Sequence, residues 1–178
     1  MSQYYYFTAS LPMLEPNAPP PMSTEEFLES CERLLTASDF QDIQLASLNA
    51  DNPAETGIEL LKRFQNAELG LRNELVKLRA KKLGIEQDRY IREETQNPLL
   101  AAVAREILEQ ETPLKAEHFM NGALWTILED LSVGHYFDID FLTAYFLKLQ
   151  ILQRRASFQV EAGEQKLESI LSGDKKDG

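Results

Sequence analysis

The stretch "FLTAYFLKLQILQ" at residues 141–153 decides the fold class, because its apolar side chains recur at the three- and four-residue steps of an α-helix. The spacing continues beyond the stretch, and the whole seam consists of Leu142, Tyr145, Leu149, Leu152, Ala156, Val160, Gly163, Leu167 and Ile170. A seam sustained over about thirty residues is typical of a coiled coil. The sequence therefore predicts a long last helix, capped by Asp138, that forms a coiled-coil-like C-terminal arm.

The rest of the chain also shows the sequence patterns of helix starts, helix ends and apolar helix faces. Ser23 and Glu26 form an S-x-x-E capping box, which predicts a helix start. Gly84 follows a long stretch in which apolar residues recur every three or four positions, and it predicts a helix end. The helices expected in this way cover about residues 23–37, 39–49, 53–82, 98–111 and 113–133. The fold class is therefore an all-α helical bundle.

The N-terminal segment, residues 1–22, is expected to be extended. Tyr4 to Phe7 are aromatic and β-prone, and "EPNAPPPM" at residues 15–22 is typical of rigid polyproline structure. Because no second β-prone segment offers a partner strand, we expect the aromatics to lie extended across apolar grooves between the helices. This divides the chain into that segment, a helical domain at residues 23–172 and a disordered tail at 173–178.

Composition and charge restrict the partners and the cellular compartment that we expect for this protein. The net charge of −11 argues against a nucleic-acid partner. No apolar run reaches the roughly 18 to 20 residues that span a bilayer, and the N-terminus lacks the basic start of an export signal. One cysteine, Cys31, fits a buried core position and a reducing cytoplasm. We therefore expect a cytoplasmic protein with no direct membrane insertion.

The sequence offers few catalytic candidates, since it holds no phosphate-binding loop, dinucleotide fingerprint, H-E-x-x-H or G-x-S-x-G motif. His135, Asp138 and Asp140 form either a metal or acid–base site or the start of the last helix, and we favour the helix start. His118 and Trp125 share one helix face. This indicates core packing, and a ligand site is the alternative interpretation. We expect no enzyme activity, no cofactor and no bound metal.

Charge is distributed unevenly along the chain. Residues 1–60 contain ten acidic residues and one basic residue, whereas residues 62–92 contain nine basic residues and four acidic ones. A basic middle of this kind favours an acidic protein surface as its partner, although a solvated helix face has the same composition.

Four stretches together resemble a known family. They are "YYYFTASLPML" at residues 4–14, "PPPMSTEEFL" at 19–28, "LRNELVKLRAKKLG" at 71–84 and "GHYFDIDFLTAYFLKLQILQRR" at 134–155. In combination they resemble a bacterial family of uncharacterised proteins that are encoded together with V-type ATPase subunits. The third stretch is also similar to a helix motif repeated in the C subunit of V/A-type ATPases, called d in eukaryotes. The positions that carry this second likeness are Asn73, Leu75, Leu78, Arg79, Ala80 and Lys81.

The resemblance implies a function without catalysis. The C subunit is an all-helical socket that seats the rotor shaft on the membrane ring, and it has three similar lobes, for which this chain is too short. The likeness implies a subunit or assembly factor of a V-type ATPase, peripherally associated with that membrane complex. The alternatives are a helical adaptor of another cytoplasmic complex and a small enzyme that uses His135. The partner-binding residues that we predict are Arg72, Asn73, Lys77, Arg79, Lys81 and Lys82.

Overall fold

The computed structural model describes residues 2–48, 56–84 and 98–173, with side chains described over 4–48, 56–84 and 98–158. Within these ranges the chain forms helices and no strand, which confirms the all-α prediction. The helices are α1 (Ser2–Ser10), α2 (Thr24–Leu34), α3 (Ala37–Gln44), α4 (Glu59–Leu83), α5 (Pro98–Leu108), α6 (Pro113–Leu131) and α7 (Ile139–Gly173). The expected start near Pro53 and the tail at 174–178 lie outside the described residues.

The first half of α7 is the centre of the bundle. Every side chain from Leu142 to Leu147 is buried, so this part of the helix is covered on all sides. It packs against α2, α3, α4 and α6. A helix that is apolar on every face belongs in the interior, which explains why residues 141–153 carry so little charge.

Local capping fixes where the helices begin and end. Ser23 and Glu26 form both hydrogen bonds of the predicted capping box. Thr112 caps α6 by accepting the backbone N–H of Lys115 at 3.2 Å. Gly84 ends α4 in the left-handed region at a φ of 67°, which a residue without a Cβ adopts at little cost.

The N-terminal aromatics form a helix, so the prediction of an extended segment is wrong for residues 2–10. The half-buried and buried positions are Tyr4, Phe7, Thr8 and Leu11, which are spaced three and four residues apart. That helical period prevails over the β-propensity of tyrosine and phenylalanine, because propensity is a weak preference that packing overrides. Phe7 does cover the bundle, since its ring stacks on that of Phe27 with centroids 5.9 Å apart.

Beyond Ser10 the chain leaves the helical conformation until α2 begins. This Pro-rich segment, residues 11–23, lies along the first half of α7. The Tyr145 hydroxyl donates to the Pro12 carbonyl at 2.9 Å, and the Arg155 guanidinium donates to the Pro16 carbonyl. The segment is therefore tied to α7 at two points.

The backbone of α7 is helical through Gly173, but its side chains are described only to residue 158. The seam positions from Val160 to Ile170 therefore lie outside the described side chains, and the coiled-coil-like arm stays a prediction. No described helix combines the length and apolar character that a bilayer crossing requires.

Candidate functional site

Helix α4 carries the predicted partner-binding residues, and its apolar face orients them. Leu71 and Leu75 are buried and Leu78 packs against the core, as their spacing predicts. The N–H of Gly84 donates to the Ala80 carbonyl and closes the last turn. Because the leucines and Ala80 face inward, residues 79 and 81–83 of the last turns are directed away from the core.

The end of α4 is a basic, exposed surface, which we call the basic tip: Arg79, Lys81 and Lys82. Leu83, 70% exposed, lies beside these three cations. Among the described residues none of the three forms an ion pair. Cations at a helix C-terminus are favoured by the negative end of the helix dipole, so the tip is compatible with the helix that carries it.

The other three predicted residues lie within contacts of the fold. The Arg72 guanidinium lies 2.6 Å from Glu68 and donates to the Leu48 carbonyl at 3.2 Å. The Lys77 ammonium lies 2.9 Å from Glu74. Asn73 is 4% exposed, so its side chain faces the interior. The structure thus separates the predicted set into an exposed group and a group whose side chains are paired or buried, and of these Arg72 joins α4 to the chain before it.

Glu68 is a buried carboxylate on α4. Burial raises the pKa of Glu68 above its usual range, and the positive charges of Arg72 and Arg154 oppose that rise. Arg154 itself donates to the Asn121 side-chain oxygen and lies 3.2 Å from Glu117. This polar group joins α4, α6 and α7 around one buried acid, a feature that no sequence motif indicates.

The predicted metal or acid–base candidate is placed at the start of α7. His135 Nδ1 lies 2.7 Å from Asp138 Oδ2 and 3.7 Å from Asp140 Oδ2. The second oxygen of each carboxylate accepts a backbone N–H: Asp138 from Phe141, and Asp140 from Leu60. The prediction that Asp138 caps α7 is confirmed by its bond to Phe141. The three groups also lie within 4.8 Å of one another, close enough for one cation, so the expected absence of metal stays a prediction.

An exposed aromatic cluster lies beside this helix start. Tyr5 and Phe137 pack with ring centroids 4.7 Å apart, and Tyr6 meets Tyr5 edge-on at 5.7 Å. Tyr6 is 74% exposed, and Tyr136 is 65% exposed. Reading the opening aromatics at helical spacing would have placed Tyr5 and Tyr6 outside the face that carries Tyr4, Phe7 and Leu11.

The chain has no match among protein-family models, curated proteins or solved structures. Its function therefore has to be inferred from its own residues and from the resemblance of its sequence stretches.

Proposed function

We propose that this protein is a non-catalytic helical subunit or assembly factor of a V-type rotary ATPase, and that the basic tip of α4 binds an acidic surface on another subunit. The observation that carries the proposal is the tip itself: three exposed cations and an exposed leucine at the end of the helix that resembles the C-subunit motif. A partner offering carboxylates around an apolar contact fits this surface.

The arrangement of α4 supports a binding role for its end. The buried leucines hold the helix in the bundle, and Gly84 ends it, so the tip is presented on a rigid element. Exposed cations contribute little to fold stability, whereas complementary charge speeds and directs association. Asn73, which belongs to the same sequence motif, acts within the fold instead, because its side chain is buried.

The experiment is capture of ATPase subunits from a lysate of the source cells by the tagged full-length protein. The test variant carries Arg79→Glu and Lys82→Glu. The matched control carries Lys62→Glu and Arg63→Glu, which reverse the same charges at two exposed positions near the other end of α4. We expect the tip variant to capture less ATPase, more clearly at low salt where charges are least screened, while the control captures as much as wild type.

Both variants should remain folded. Reversing exposed charges changes stability little, and acidic residues near a helix C-terminus cost at most about 1 kcal/mol. If wild type captures no ATPase subunit, the proposed function is wrong. If capture occurs and both variants behave alike, the function stands and the basic tip is the wrong surface. Stoichiometric capture of a different complex would favour the adaptor alternative.

A further inference from the structure

A cleft of about 690 Å³ lies between α6, the Pro-rich segment and Arg155 of α7. Small-molecule sites occupy roughly 300 to 1,000 Å³, so the size is that of a ligand site. Leu114, Phe119 and Trp125 of α6 line the cleft, together with Pro16 and Asn17 of the Pro-rich segment. No residue of the basic tip lines this cleft, so a ligand bound there would not require the proposed function.

Two residues that line this cleft each carry a buried polar atom that has no partner among the described residues. Trp125 is 4% exposed, and its indole N–H has no acceptor among the described residues. His118 Nε2, on the same helix face, also lacks a partner there. Buried polar groups in proteins are almost always hydrogen-bonded, because an unmade bond costs about 1 to 3 kcal/mol. Both atoms therefore indicate a partner from outside the described residues.

The charges around the cleft favour an anion. Lys115 is paired with Glu111 at 2.5 Å, and Glu129 lies 3.8 Å from Lys148. Arg155 is not paired with an opposite charge in this way. Its guanidinium donates to two neutral oxygens, those of the Pro16 carbonyl and the Asn17 side-chain amide. Among the described residues it has no carboxylate, so its positive charge is uncompensated at the cleft.

Gly122 keeps the cleft open. It lies in the middle of α6, where glycine costs about 1 kcal/mol relative to alanine. A Cβ at this position would meet nothing within 4 Å, and the residue lines the cleft. Neither a tight turn nor close backbone packing explains the glycine, whereas a larger side chain would occupy the space that a ligand needs.

We propose that this cleft binds a small amphipathic organic anion. Its apolar body packs on Leu114, Phe119 and Trp125. Its acidic group provides an acceptor oxygen for the Trp125 indole N–H and a negative charge for Arg155. The structure thus gives His118 and Trp125, which one helix face brings together, a binding role in addition to packing.

Trp125 makes the proposal directly measurable, because it is the single tryptophan of the chain. The probe is anilinonaphthalenesulfonate, an aromatic anion, and its neutral analogue N-phenylnaphthylamine is the control ligand. We expect saturable, one-to-one quenching of Trp125 emission by the sulfonate. The neutral analogue should bind about tenfold more weakly, since a charge-assisted hydrogen bond contributes roughly that factor.

Three variants of the full chain locate the site. Gly122→Phe should abolish the quenching while melting at or above the wild-type temperature, because it fills the cleft and removes a helical glycine. Arg155→Gln should weaken binding of the sulfonate about tenfold. Arg63→Gln, an exposed arginine on α4, is the matched control and should change nothing.

The proposal is overturned by unsaturable quenching, by equal affinity for the neutral analogue, or by a Gly122→Phe protein that binds as wild type does. If Gly122→Phe fails to fold, Arg155→Gln and Arg63→Gln decide alone. Equal affinities of those two variants would then exclude the anion site.

Discussion

The Oδ1 atom of Asp140, in the first turn of α7, accepts a hydrogen bond from the backbone N–H of Leu60 at 2.9 Å. Leu60 is at the start of α4, so a side chain of one helix caps another helix 80 residues away in sequence. Ile58, which precedes α4, has no side-chain oxygen and forms no cap of its own. The two longest helices of the bundle are therefore joined where both begin.

Replacing Asp140 should measure how much the hydrogen bond between Asp140 and Leu60 stabilises the fold. We expect Asp140→Ala to lower the free energy of unfolding by about 1 kcal/mol, because one N-terminal N–H of α4 loses its acceptor. That loss corresponds to a melting temperature about 2 to 4 °C lower in a chain of this size. Asp140→Asn keeps an acceptor oxygen and should recover most of the loss in urea denaturation. Equal destabilisation by the two variants would contradict the capping role.

Phe7 should be the residue through which α1 stabilises the bundle. It is 3% exposed and stacks on Phe27, whose ring in turn stacks on Phe146 at 5.3 Å. Phe7→Ala should cost about 3 to 5 kcal/mol, the usual loss for a buried phenylalanine. Tyr6→Ala is the control on the same helix, and its exposed side chain predicts a change within about 0.5 kcal/mol. A melting temperature unchanged in Phe7→Ala would show that α1 does not stabilise the fold.

The predictions that the structure confirms rest on local signals. The Ser23 capping box, the Asp138 cap and the Gly84 stop each depend on residues within one helical turn, so the sequence displays them in full. The same local reading failed at α1, where the β-prone residue types suggested an extended segment. There the three- and four-residue spacing of Tyr4, Phe7 and Leu11 was the stronger signal.

The candidate sites were predictable only in part, because exposure depends on which elements meet. The leucine spacing of α4 correctly placed Leu71 and Leu75 inward. It did not reveal that the carbonyl of Leu48 accepts a hydrogen bond from the Arg72 guanidinium. The cleft at Trp125 was still harder to foresee, since the Pro-rich segment that also lines it is about a hundred residues away in sequence.

Cys31 should be inert in the folded protein. Its side chain is fully buried in α2, and burial raises the pKa of the thiol to about 12 from an ordinary value of 9.0. The thiolate is the reactive form, so dithionitrobenzoate at pH about 8 should label the native chain only as fast as the chain opens. In guanidinium chloride one thiol per chain should react at once. Rapid labelling without denaturant would contradict the burial of Cys31.

Glu68 allows a test of whether burial or ion pairing dominates the polar group between α4 and α6. Its side chain is 4% exposed and lies 2.6 Å from the Arg72 guanidinium, which would by itself lower the pKa of the acid. Burial nevertheless raises the pKa of Glu68 above its ordinary value of 4.5. The folded state then holds the proton more tightly than the unfolded state does. The stability that this provides is complete below pH 4.5 and is lost as pH rises through the folded pKa.

Glu68→Gln removes the titration while keeping a side-chain acceptor for Arg72. Near pH 4 the variant and wild type should have similar free energies of unfolding, because the carboxyl is then largely protonated in both states. As pH rises toward 7, the variant should become the more stable of the two, since wild type must bury a charge that glutamine lacks. Urea denaturation of both proteins across this range measures the difference, and subtracting the two curves cancels the other titrating groups. If the variant instead becomes progressively less stable as pH rises, the Arg72 ion pair outweighs burial and the pKa of Glu68 is lowered rather than raised.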